Sequence, residues 1–183
     1  MKSAFSRGSA ALLVIVLGAV ACERSSSTEP TLNHLSHEPS AAASPTAVAN
    51  AGLVKVVHGA SARYHATAQA ARDGYAEDPF CVEHPTLGGM GHHWANFALV
   101  DDVFDPRTPE VVLYAPDRHG RMKLAAVEYL VLDVGQPAPT FAGQPFDVGG
   151  APIPVPHWSL HVWLFKPNPA GLFTPFNPDV DCP

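Results

Sequence analysis

Residues 110–133 read EVVLYAPDRHGRMKLAAVEYLVLD, and this stretch decides the fold. Glu110–Ala115 and Arg121–Asp133 are rich in Val, Leu and Tyr, the residue types that suit a pleated surface. Asp117-Arg118-His119-Gly120 between them is a polar turn, so the whole stretch predicts an antiparallel hairpin. Strand alternation puts Glu128 on the face of Leu124, Ala126, Leu130 and Leu132. A carboxylate with apolar neighbours sits either at a sheet edge or buried beside a partner, because an unpaired buried charge is very costly.

Two further strands flank the hairpin. His92–Val100 lies upstream, with His93 on the face of Ala95, Phe97 and Leu99, and His92 on that of Trp94 and Asn96. His157–Lys166 lies downstream, with His157, Ser159, His161, Trp163 and Phe165 on one face and Trp158, Leu160, Val162 and Leu164 on the other. Six prolines in Pro137–Pro156 indicate a long loop with one short strand near Phe146. Pro167–Pro183 is an aromatic, proline-rich tail laid over the core.

Upstream of the strands, Leu53, Val57, Ala60, Tyr64, Ala68, Ala71 and Tyr75 recur at steps of three and four. That period predicts one amphipathic helix over about Val48–Gly74. Together these segments predict an α+β domain over 47–183, with an N-terminal helix packed on a curled antiparallel sheet, as a small barrel or cupin-like roll. Hydrophobic content of 46% against 15% charged residues agrees with a core-forming chain of 183 residues. The net charge is -6 and no basic stripe is present, which argues against a nucleic-acid partner.

Residues 1–21 have the form of a signal peptide. Lys2 and Arg7 precede an apolar run, Ala10–Val20, and Ala19-Val20-Ala21 gives a small-x-small cleavage pattern. Cys22 follows where a bacterial lipoprotein carries its lipid, although Ala19 stands where the usual lipobox has Leu. The expectation is an exported cell-envelope lipoprotein held to the membrane through Cys22, with simple secretion as the alternative. Residues 22–46 are rich in Ser, Ala and Pro and read as a disordered tether. With Cys22 assigned to lipid, Cys81 and Cys182 remain as an even pair, and an oxidising compartment predicts a disulfide between them.

Gly88-Gly89-Met90-Gly91 reads as a flexible turn that delivers His92, His93 and Trp94 to the start of a strand. If the three strands turn their apolar faces to one interior, His93, Glu128 and His161 converge. Two imidazoles and one carboxylate match the donor set of zinc, non-haem iron and manganese sites. His92, His157 and Asn96 are candidates to support that set, and Met90, Trp94 and Trp163 to line a small-molecule pocket. Two alternatives use the same residues: histidines bonded to backbone with Glu128 paired to a base, or metal-free acid–base chemistry by Glu128 and a histidine. There is no HExxH, no paired CxxC, no GxSxG, no phosphate loop with its Lys-Ser/Thr, and no EF-hand spacing at Asp101, Asp102 and Asp105.

The ordered blocks CVEHP, GGMGHHW, PEVVLYAP, VEYLVL, LHVWLF, NPAG and FNPDVDC, spanning about Tyr75 to Cys182, resemble a group of bacterial exported proteins classed as uncharacterised, hypothetical proteins. In that pattern the GGMG block is followed by any residue, then His, then Trp or Tyr. The resemblance implies that His93 matters more than His92, and it matches Glu128, His161, Cys81 and Cys182. It implies no reaction. The expected function is a small-molecule-binding or enzymatic domain with a His/Glu divalent-metal site. The alternative is a non-catalytic envelope protein whose aromatic surface binds a protein or glycan.

Overall fold

The computed structural model describes residues 45–150 and 153–182. The predicted signal peptide, Cys22 and nearly all of the predicted 22–46 tether lie outside the described residues; only Pro45 and Thr46 of that span are described, as the start of a helix. No helix among the described residues is long and apolar enough to cross a membrane.

The protein is α+β. Helix α1 (Pro45–Ser61), a 3-10 turn (Ala62–His65) and helix α2 (Thr67–Arg72) lead into eight strands: β1 (Ala76–His84), β2 (Gly88–Ala95), β3 (Val111–Pro116), β4 (Met122–Leu132), β5 (Thr140–Phe141), β6 (Gln144–Pro145), β7 (Asp147–Val148) and β8 (His157–Val162). Six strands form one antiparallel sheet in the order β1-β2-β3-β4-β8-β7, curled into a half-barrel. Among the described residues the curl stays open, since β1 and β7 are the edges of the sheet and no ladder joins them. β5 and β6 make a separate two-stranded ribbon in the proline-rich loop.

The predicted hairpin is present as β3 and β4. Its strands are buried on both faces, which is why Val, Leu, Ala and Tyr run through them with few polar interruptions. A register shift between Leu113 and Tyr114 leaves Ala125 as an extra residue on β4. The bulge changes the parity. Ala126, Glu128 and Leu130 keep one face, whereas Leu124 packs in the opposite core and Ala125 joins theirs. Simple alternation placed Leu124 with Glu128, and this bulge is the reason it does not hold.

One face of the sheet carries the helical segment: Val57, Tyr64 and Tyr75 pack in one core with Val112, Tyr114, Val127 and Tyr129. The predicted single helix is broken, however. Ser61 Oγ donates back to Val57 O at 2.6 Å, and Ala66 is extended. The break lets Tyr64 enter the core against Tyr75, while its carbonyl accepts the Tyr114 hydroxyl at 2.6 Å. Leu53 before the break and Ala68 and Ala71 after it are exposed, while Ala70 is buried, so the expected stripe survives only at Val57, Tyr64 and Tyr75.

The glycine segment is strand, not turn. β2 begins at Gly88, and the reversal from β1 lies at 85–87. Gly91 has φ +90°, and a Cβ there would lie 2.7 Å from Tyr114 O. Gly88 has φ +86°, and a Cβ there would collide with the backbone of Asn177. The glycines therefore thin the strand so that the C-terminal tail can lie on it: Gly89 N–H donates to Val180 O at 2.7 Å, and Asn177 N–H donates to Gly89 O at 3.0 Å. β2 also ends at Ala95, and Phe97–Leu99 form a 3-10 turn where strand was expected. β1 is an exposed strand carrying Pro79, which only an edge position tolerates.

Cys81 and Cys182 are bonded across 101 residues, as expected, which fixes the tail to β1. The tail covers half of the second sheet face, where Val180 and Trp163 pack with Leu113, Ala115 and Ala126. The other half is hollow.

Candidate metal centre

The hollow half is a cavity of about 610 Å³. Its wall runs from β1 across β2, β3, β4 and β8 to β7, with Pro175 and Phe176 of the tail closing one side. Both edge strands contribute, so the curl of the sheet is what makes the space.

Three predicted ligands meet on its floor. Glu128 and His161 are direct register partners on β4 and β8. His93 on β2 pairs with Leu113, and Leu113 with Ala126, which puts its ring on the same face as Glu128 across one intervening strand. Nε2 of His93 is 3.6 Å from Oε2 of Glu128, and Nδ1 of His161 is 3.8 Å from Oε1. One donor atom from each residue lies within 4.8 Å of the other two.

These separations are too long for hydrogen bonds between the carboxylate and the rings. They are close to what one ion needs. Bonds of about 2.0–2.2 Å place the donors of a tetrahedral centre roughly 3.4 Å apart, so small side-chain movements would bring the three onto a common ion.

Burial sets the charge state. Removal from water pushes the Glu128 carboxyl up to about 8, with the negative charge of Glu110 adding to the effect. Removal from water also lowers His93 to about 4, partly offset by Asp78, and lowers His161 to about 3, with His93 contributing. Near neutral pH both imidazoles are thus uncharged, the form in which a ring nitrogen ligates. His161 is 3% exposed, and its Nε2 is buried with no hydrogen-bond partner among the described residues. Nδ1, the other ring nitrogen, faces Glu128 and is the atom placed to ligate.

The other expected residues divide. Met90 and His157 line the cavity. His157 Nδ1 lies 2.8 Å from Val155 O, four residues along the strand from His161, so it belongs to the wall and not to the donor cluster. His92 points the other way, with Nδ1 3.8 Å from Glu77. Trp94 packs in the helix-side core against Tyr114, and Trp163 is buried under the tail with Nε1–H donating to Thr174 O; neither lines the cavity. Asn96 caps the Phe97–Leu99 turn and donates to Asp73 O at 2.9 Å, a structural role. His92 and Trp94 are turned away by strand alternation, Asn96 by the early end of β2, and Trp163 is covered by the tail.

Sequence reasoning missed part of the wall. Asp78, Phe80 and Val82 come from the unrecognised edge strand, Phe97 from the turn after β2, and Asp147 and Val148 from the proline-rich loop. The predicted Cys81 bridge was the one available signal, since it fixes Phe80 and Val82 in space. Glu110 was also missed. It is 3% exposed and accepts the Leu130 N–H at 3.0 Å, and burial pushes it up to about 8.

Comparisons with protein-family models, curated proteins and solved structures return no match.

Proposed function

We propose that this is an exported protein that binds, and acts on, a small molecule at a divalent metal held by His93, Glu128 and His161. The observation that carries the reading is the convergence of three donors, from β2, β4 and β8, within 4.8 Å of one another at the floor of a 610 Å³ cavity. Two neutral imidazoles and one carboxylate suit zinc, iron(II) or manganese(II) and leave coordination positions facing the cavity. A metal bound there would supply Lewis-acid polarisation of an oxygen or nitrogen donor on the small molecule. The chain's own contribution is placement: three strands of one sheet fix the donors, the wall excludes water, and Glu128 gives up its proton when the cation arrives.

Cobalt(II) tests the reading through its ligand-field bands. The full-length protein should bind one equivalent with intense visible absorption typical of four- or five-coordinate centres, and His161→Ala and Glu128→Gln should each lose it. Only weak, octahedral bands, unchanged in those variants, would contradict the proposal.

The setting proposed is the cell envelope, with Cys22 as the lipid-bearing residue or, failing lipidation, secretion. The leader-like 1–21 segment and the Cys81–Cys182 bridge support an oxidising compartment. Metabolic labelling with a palmitate analogue should mark the wild-type chain and not Cys22→Ser; equal labelling would remove Cys22 from the account.

A further inference from the structure

The cavity has a chemical bias that the metal cluster does not explain. Its inner wall is apolar: Val82, Met90, Val111, Leu130 and Ile153 surround the donors. Its mouth carries two largely exposed aromatic rings, Phe80 at 73% and Phe97 at 65%, and Val148, at 79%, lines it from β7. Large apolar side chains so exposed at the rim of one cavity mark a binding surface. Carboxylates stand among them: Asp78 on β1, and Asp147 on β7 across the opening. No lysine or arginine lines the cavity among the described residues.

Charge and shape then restrict the occupant. At the mouth a phosphate, sulfate or free carboxylate would meet acids and no lysine or arginine. A purely apolar molecule would leave two carboxylates unused. An ammonium at the mouth meets those carboxylates and the faces of two aromatic rings, an arrangement that attracts organic cations. We propose that the ligand is an organic cation: an amine with an apolar, largely aromatic or aliphatic body, its ammonium between Asp78 and Asp147 and its body against the inner wall. The inference rests on the metal-site reading only for what the far end of the ligand meets, since wall and mouth exist without a metal.

Two fluorescent probes of similar size and opposite charge test it on the full-length protein. Dansylcadaverine carries an ammonium, and 1-anilinonaphthalene-8-sulfonate a sulfonate. Dansylcadaverine should bind at least 10-fold more tightly at low ionic strength, and added salt should narrow the gap. Phe80→Ala/Phe97→Ala should weaken its binding several-fold. Asp78→Asn/Asp147→Asn should cut the preference to within about 3-fold, whereas Asp102→Asn/Asp133→Asn, which removes two charges outside the cavity, should leave it intact. Asn at 78 keeps the oxygen that accepts the Phe80 N–H, so the β1 conformation is preserved.

A sulfonate probe bound as well as the ammonium probe, a preference equally sensitive to both Asp pairs, or no saturable binding of either probe would overturn the proposal. His93→Ala separates the two readings. Cation preference retained there with cobalt binding lost leaves the ligand class standing on the wall alone. Normal cobalt binding in the wild type with no probe preference sinks the ligand class and spares the metal site.

Discussion

Glu128 and His161 face each other as register partners across β4 and β8, with Oε1 3.8 Å from Nδ1 and neither residue more than 8% exposed. A carboxyl and an imidazole held this close in a dry site would ordinarily form a hydrogen-bonded ion pair. Here they stand apart, with His93 completing a triangle whose centre is open to the cavity. The pair is arranged for a third partner.

Metal affinity should therefore depend on pH in a defined sense. With the Glu128 carboxyl pushed up to about 8 and both rings already neutral, binding at pH 7 displaces one proton from Glu128. The zinc association constant should rise about 10-fold per pH unit up to about 8 and then level. Calorimetry in buffers of different ionisation enthalpy counts the proton. Zero protons released at pH 7 would contradict the assignment.

The metal-free protein should show a stability plateau. A raised carboxyl, as at Glu128 and Glu110, makes stability fall as pH rises from about 4.5 to about 8, because the folded state keeps a proton that the unfolded chain has lost. A lowered imidazole does the reverse between its folded value and about 6.5: His93 from about 4, His161 from about 3. The two pairs offset each other between roughly 4.5 and 6.5. Stability should be nearly flat there, fall on further acidification, and fall again from 6.5 to 8. Glu128→Gln should reduce the alkaline fall by about half, Glu110 supplying the rest. Urea midpoints measured with chelator present check this; a rise from pH 6.5 to 8 would contradict it.

The glycines of β2 make a graded prediction. Gly91→Ala forces a side chain into φ +90° and within 2.7 Å of Tyr114 O, and should cost about 3 kcal/mol or more. Gly120→Ala, at φ +73° in the β3–β4 turn with nothing within 4 Å, should cost only about 1 kcal/mol. Equal losses in thermal unfolding would mean that the approach of β3 to Gly91 is not what requires glycine there.

The disulfide should be the largest single contribution outside the core. Cys81→Ser/Cys182→Ser releases a loop of 101 residues and should destabilise by roughly 4–5 kcal/mol in the chain-entropy account. Hydrogen exchange should then quicken first at the amides of Gly89 and Asn177, which donate to Val180 O and Gly89 O and so join tail to β2. Unchanged exchange at those amides would show that the tail is held without the bridge.

Residue type and the polar turn made the hairpin legible, and strand parity gave the shared face of Glu128 with Ala126 and Leu130 and the face of His161, because successive side chains of a strand point to opposite sides. Cysteine parity found the bridge for a similar reason: the constraint is arithmetic. What alternation could not see was anything that breaks it. The Ala125 bulge moved Leu124, the end of β2 at Ala95 released Phe97 and Leu99, and the strands of the Pro-rich loop were two residues long. β1 was hidden because an exposed edge strand with Pro79 carries no apolar rhythm. The helix stripe failed after Ser61 because a tertiary bond, Tyr114 hydroxyl to Tyr64 carbonyl, outweighed local preference. Glycines, finally, serve both turns and close backbone contacts, and only the tail lying on β2 distinguishes the two.

The most direct test of the central claim is metal content by mass spectrometry. The full-length protein, purified without chelator, would be compared with His93→Ala, Glu128→Gln and His161→Ala, each checked for folding by circular dichroism. The account predicts close to one zinc, iron or manganese per chain in the wild type and less than about a tenth of that in each folded variant. Wild-type protein that stays metal-free after incubation with each of these ions, or metal that persists undiminished in all three variants, would contradict it.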